Sequence, residues 1–99
     1  YMINWSLVVG FAWHESNAEK NKAHSVLPFE CEQIFFNEPL LVLPDEKHSQ
    51  NEMRYHALGH TNDKRLLHIT FTLRYELTKI RVISARDMHK KERAKYETT

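Results

Sequence analysis

KIRVISARDMHKKERAKY, residues 79–96, is the stretch on which the fold turns. Ile80, Val82 and Ser84 alternate with Lys79, Arg81 and Ile83. A period of two in β-branched residues marks a strand with one buried face. The pattern then changes. Ser84 is followed three residues later by Asp87 and by a run of helix formers. Ser-x-x-Asp starts a helix well, because the hydroxyl accepts from a free amide of the first turn and the carboxylate sits against the positive helix end. The spacing therefore predicts a strand passing directly into a terminal helix. On that helix Arg86, Lys90 and Arg93 recur at i, i+4 and i+7, with His89 beside them, and Arg81 lies just upstream on the strand. A charge run is ordinarily a solvated face. A strand arginine at a sharp junction adds a reason to read this one as an anion site.

Outward from this junction the chain divides into short elements. Leu7 to Trp13 reads as a first strand, with Gly10 allowing a bend. Ser16 and Glu19 form a capping box for a helix over 16–23. Pro28 suits the first turn of a second helix, which carries Phe29, Ile34, Phe35 and Phe36, ends before Pro39 and is expected to supply much of the core through these aromatics. Leu40 to Leu43 is a short strand, and residues 46–51 form a polar loop. Met53 to Gly59 is a strand with Met53, Tyr55 and Ala57 on one face and Arg54, His56 and Leu58 on the other. Asn62-Asp63 marks a turn. Arg65 to Tyr75 is the longest strand. Its core face holds Leu67, Ile69, Phe71 and Leu73, and its polar face holds His68, Thr70, Thr72 and Arg74.

Ninety-nine residues make one small domain, spanning residues 1–99. The formal net charge of +1 rules out an overall basic field, so any polyanion site must arise from local clustering. The single cysteine, Cys31, cannot form an internal disulfide and points to a reducing compartment, a cytoplasm. A lone cysteine is usually a buried one, not a nucleophile. The apolar run near the start is too short to span a bilayer, so no membrane association is expected. His56 and His60 are spaced H-x-x-x-H, but on a strand that spacing is two pleats, and no cysteine or carboxylate completes a zinc set. No metal and no cofactor is expected.

R-V-I-S-A-R at residues 81–86 followed by E-R-x-x-Y at residues 92–96 resembles the carboxyl end of the BrnT-like toxins of bacterial toxin–antitoxin pairs. Matching pieces stand upstream in order: Phe11 and Trp13, Asn21, Phe29-Glu30, Phe36 and Pro39, Glu52 and Arg54, and Leu58-Gly59. They run from Phe11 to Glu97. The resemblance implies an α+β fold similar to the RelE-type ribonucleases, with a small antiparallel sheet, two N-terminal helices and one C-terminal helix. It implies metal-independent endonucleolytic cleavage of mRNA and a cognate BrnA-like antitoxin. That antitoxin would carry a ribbon-helix-helix DNA-binding domain, so promoter DNA would be met only through it.

Cleavage without a metal needs a base for the 2′-hydroxyl, an acid for the 5′-oxygen, and cations on the phosphate. Arginine suits the last task because its planar fork meets two phosphate oxygens. Arg54, Arg81 and Arg86 match the family and are the first catalytic candidates. A one-residue gap places a family histidine on His24, which joins them. Tyr96 is a candidate acid or stacking platform, although a ring that packs helix to sheet fits equally. Lys90, Arg93, His56 and His68 are RNA-binding candidates, and either histidine is a possible base. The chain also departs from the family. His14 follows Trp13 where the family has an aspartate, and Asn17 replaces a lysine. The first helix thus loses basic residues, which leaves two rivals: a degenerate toxin that only binds its antitoxin, and a nucleic-acid-binding module without cleavage.

Overall fold

The computed structural model describes residues 3–13 and 25–99. A 3-10 turn at Trp5–Leu7 leads into β1, Gly10–Phe11. Helix α1 covers Pro28–Ile34, followed by β2, Leu41–Pro44. A second 3-10 turn, Glu46–His48, precedes β3, Arg54–His60. Strands β4, Leu66–Arg74, and β5, Lys79–Asp87, complete the sheet, and α2 covers Lys90–Glu97. The strand order is β1-β5-β4-β3-β2.

Two expectations about this architecture are corrected. The sheet is mixed: β1 runs parallel to β5, while the other pairs are antiparallel. The chain leaves β1 at one edge and reaches β2 at the opposite edge, so β5 returns beside β1 pointing the same way. The second correction concerns the helices expected ahead of the sheet. Among the described residues only α1 stands before the antiparallel strands, with the Trp5–Leu7 turn upstream. The helix expected over 16–23 lies outside the described residues.

The core lies between α1 and one sheet face. Cys31 and Ile34 of α1 pack with Val26, Tyr55, Ala57, Leu67, Ile69, Phe71, Ile80, Val82 and Ala85. The fit is close at Gly59, where an added Cβ would stand 2.9 Å from Ile34 Cβ. Three polar ties fix α1 in place. Trp13 Nε1 donates to Glu32 at 2.8 Å, and the Asn62 amide donates to Gln33 at 3.0 Å. Arg65 reaches Glu30 at 3.3 Å and Asp87 at 2.7 Å, joining α1 to the end of β5. Burial pushes the Cys31 thiol up to about 12, so it stays protonated and inert as a nucleophile.

The strand-to-helix junction also differs from its expectation. Ser84 does not cap a helix. It lies within β5, which stays paired with β4 as far as Asp87 opposite Leu67. The ladder of the nine-residue β4 outcompetes the local capping signal. The helix starts at Lys90 instead, and Glu92 accepts from the His89 amide at 2.8 Å. Arg86 is therefore a strand residue, and only Lys90 and Arg93 of the expected stripe are helical.

β5 carries a bulge. Thr70 pairs with Ser84 and Phe71 with Val82, which leaves Ile83 unmatched in the register. A regular strand would put Arg81 and Arg86, five residues apart, on opposite faces. The extra residue restores them to the same face and lets Ala85 join the core.

Candidate active site

The face of the sheet away from α1 is organised in three rows. Arg54, Thr72 and Arg81 form the first, across β3, β4 and β5. His56, Thr70 and Ser84 form the second, and Leu58, His68 and Arg86 the third. Helix α2 covers the third row. Tyr96 and Met88 pack there on Leu58, with Leu41 and Leu66 beside them. Among the described residues the first row is left open, flanked by Arg74 on β4.

That open row is strongly cationic. Adjacent strands are about 4.8 Å apart, so Arg54 and Arg81 have backbones about 10 Å apart, within reach of one anion between their side chains. Arg74 lies one pleat along β4 from Thr72. Its Nη2 is 3.2 Å from Glu52, and Arg54 lies 3.9 Å from the same carboxylate. The Nε atoms of Arg54, Arg74 and Arg81 are all buried without a hydrogen-bond partner among the described residues. A buried donor left unmatched carries its desolvation cost uncompensated. The three side chains are themselves only partly buried, and the outer ends of their guanidinium forks are suited to the oxygens of a phosphate. His48, Gln50, Asn51, Glu52, Arg54 and Arg74 line a pocket of about 400 Å³ at this end.

The second row supplies a titratable group. His56 Nε2 is 3.2 Å from buried Asp45, and His56 Nδ1 is 3.2 Å from the Thr70 hydroxyl. His48 Nδ1 stands 3.0 Å from the same carboxylate. Burial raises Asp45, but the His48 hydrogen bond and the charges of the two histidines outweigh it and hold the carboxyl below its usual range. An ionised Asp45 therefore fixes His56 with Nε2 as donor and Nδ1 as acceptor. This arrangement of carboxylate, imidazole and hydroxyl can pass a proton at Nδ1.

In the third row the groups are paired or covered. Arg86 grips Glu92 with two bonds, 2.8 and 3.0 Å. That fork holds the Glu92 carboxyl down at about 2. His68 is buried, its ring centroid 4.9 Å from that of His56. Burial, helped by the charge of Arg86, pushes His68 down to about 4, so it is neutral at pH 7.

The structure thus brings Arg54, Arg81, His56 and His68 onto one face and sets Arg86 two rows away, tied to Glu92. Tyr96 is separated from the open row. Its hydroxyl donates to the Pro39 carbonyl at 2.5 Å and lies 2.8 Å from His60 Nδ1, and burial pushes its phenol up. Lys90 and Arg93 are exposed on α2, and Arg93 donates to the Met88 carbonyl at 3.0 Å. His24 lies outside the described residues. Sequence reasoning named Arg74 and Glu52 without giving either a role at the site, and it passed over Asp45. Arg74 had a signal, since it continues the alternation of His68, Thr70 and Thr72. Asp45 had none, because a turn aspartate after Pro44 looks like loop punctuation.

Among the described residues no helix is long and apolar enough to cross a membrane. No curated protein matches the chain. A family model does, over residues 13–92, more than half of its length; it is described as ribonuclease toxin, BrnT, of type II toxin–antitoxin system.

Proposed function

The chain belongs to the BrnT family of ribonuclease toxins of type II toxin–antitoxin systems, and from that premise we propose that it cleaves mRNA internally, without a metal ion, on the open row of its sheet. What carries this reading is the clustering of three partly exposed arginines, Arg54, Arg74 and Arg81, beside the Asp45–His56 pair. Arg54 and Arg81, assisted by Arg74, take the oxygens of the scissile phosphate. His56 Nδ1, one pleat away, accepts the 2′-hydroxyl proton in place of the Thr70 hydroxyl. The 2′-oxygen attacks phosphorus and the bond to the 5′-oxygen breaks. The leaving oxygen takes a proton from solvent, and the imidazolium returns its own to water. The arginines match the negative charge that grows on the phosphorane, which is where an electrostatic contact lowers the barrier.

A protein antitoxin is the partner of a type II toxin. We assign it to the BrnA-like kind, with a ribbon-helix-helix domain that alone contacts promoter DNA. One observation favours the binding-only rival: both ring nitrogens of His56 are engaged, by Asp45 and by Thr70. The test is incubation of purified protein with single-stranded RNA in EDTA, followed by analysis of the new ends. The proposal expects a 2′,3′-cyclic phosphate and a 5′-hydroxyl. RNA bound with steep salt dependence but left intact points to the rival. Cleavage abolished by the chelator and restored by a divalent cation would overturn the mechanism.

A further inference from the structure

The turn between β4 and β5 is built against the usual backbone preference. Tyr75, Glu76 and Leu77 all have positive φ, at 54°, 56° and 69°. None is glycine, and L-residues visit this region singly and at a cost. The turn is closed by the Thr78 amide, which donates to Arg74 O at 3.1 Å and to Tyr75 O at 3.2 Å. The Thr78 hydroxyl donates to Tyr75 O at 2.6 Å. Backbone held in sparsely populated regions persists where its surroundings enforce it, and it clusters at ligand clamps. The conformation leaves Tyr75 68% exposed, a large apolar surface for a residue outside any core. Its neighbours are not those of a random surface ring. Tyr75 shares the walls of one small pocket, of about 180 Å³, with Arg74, Arg81 and Ala12. Two of those residues are among the arginines whose Nε atoms have no acceptor.

We propose that Tyr75 is a nucleobase platform: an unpaired base of the RNA, adjoining the phosphate held by Arg81 and Arg74, stacks on its ring. Single-stranded RNA is held where bases stack on aromatic rings beside cations that take the backbone. A ring offers its face to any base, so Tyr75 contributes affinity and selects unpaired over paired strands. It is a binding residue that places the strand, with no part in proton transfer. The inference rests on the proposed nuclease reading but is tested apart from cleavage.

The probe is a twelve-nucleotide 2′-O-methyl RNA of mixed sequence, whose blocked nucleophile prevents cleavage. A second strand has the same backbone and abasic sugars throughout. Dissociation constants are measured for the wild type, Tyr75→Ala and Tyr75→Phe, with circular dichroism confirming equal folding. Tyr75→Ala should weaken binding of the base-bearing strand roughly five- to a hundredfold. It should leave the abasic strand unchanged, and Tyr75→Phe should match the wild type on both. Equal binding of the base-bearing strand by wild type and Tyr75→Ala overturns the inference and leaves the nuclease reading intact. An equal loss on both strands also overturns it, because the ring would then act through the backbone. Failure of the wild type to bind either strand removes the RNA reading together with the inference.

Discussion

His68 shows how one residue's surroundings set its chemistry. It is 9% exposed and packed between the His56 ring and the Arg86–Glu92 pair. Its folded value of about 4 lies below the ordinary 6.5. Between those values the unfolded chain binds more protons than the folded one, so stability falls as pH drops from about 6.5 to about 4. Above 6.5 the contribution is fully present. The size is at most about 3 kcal/mol, the shift converted at 1.36 kcal/mol per unit. Glu92 acts in a lower window, since its contribution is lost as pH falls from about 4.5 to about 2. Denaturant titrations of the wild type and His68→Gln at steps from pH 7.5 to 4 separate the two. The wild type should lose stability across the His68 window, and His68→Gln should lose much less. An identical slope in both would show that His68 is solvated and titrates normally. At this scale the sequence was partly legible. Strand alternation placed Arg54, His56 and His68 on polar faces, because period two is a property of the backbone. The pairing of Arg86 with Glu92 and of His56 with Asp45 was not legible. Those contacts join residues from different elements, and spacing along the chain says nothing about them.

At the scale of elements, β5 and its bulge decide the face on which the cations meet. Without the unmatched Ile83, Arg81 and Arg86 would diverge. Nothing in R-V-I-S-A-R announces a bulge, since Ile83 is as good a strand residue as its neighbours. The Ser84 capping signal was genuine as local chemistry and lost to the ladder that pairs eight residues of β5 with β4. Helix α1 was legible in its start at Pro28, but it ends at Ile34, and of the aromatics expected in the core only Phe35 packs there, while Phe29 and Phe36 are 57% and 78% exposed. The seat of α1 on β3 was not legible, although Gly59 was the trace of it. A Cβ at residue 59 would meet the Cβ of Ile34, an atom that moves only with the helix backbone. Gly59→Ala should therefore cost about 1–3 kcal/mol, the range for overpacking a core. For a domain of this size each kcal/mol is worth roughly 4–8 °C in Tm. Thermal unfolding of the variant measures it. A melting temperature within a degree of the wild type would mean that α1 sits further from β3 than the packing indicates.

Over the whole molecule, the two faces of a single sheet divide the labour. One face with α1 forms the core, and the family-matching residues Phe11, Trp13, Glu30 and Gly59 serve that face or its ties to α1. Among the described residues the other face is closed at one end by α2 and open at the other, where Arg54, Arg74 and Arg81 come from three adjacent strands. A formal charge of +1 conceals this cluster, because the carboxylates are distributed elsewhere or, like Glu52, hold two of the arginines in place. The central claim is that Arg54 and Arg81 act together on one phosphate across Thr72. A double-mutant cycle tests it most directly: single-turnover RNA cleavage by the wild type, Arg54→Lys, Arg81→Lys and the double variant, at matched folding. Lysine keeps the charge and removes the fork. Each single change should slow cleavage about tenfold to a thousandfold, equivalent to roughly 1.4–4 kcal/mol of transition-state contact. The double variant should be clearly faster than the product of the two effects predicts, as for residues acting as a unit. Rates equal to the wild type in either single variant, or strict additivity in the double, would contradict the account.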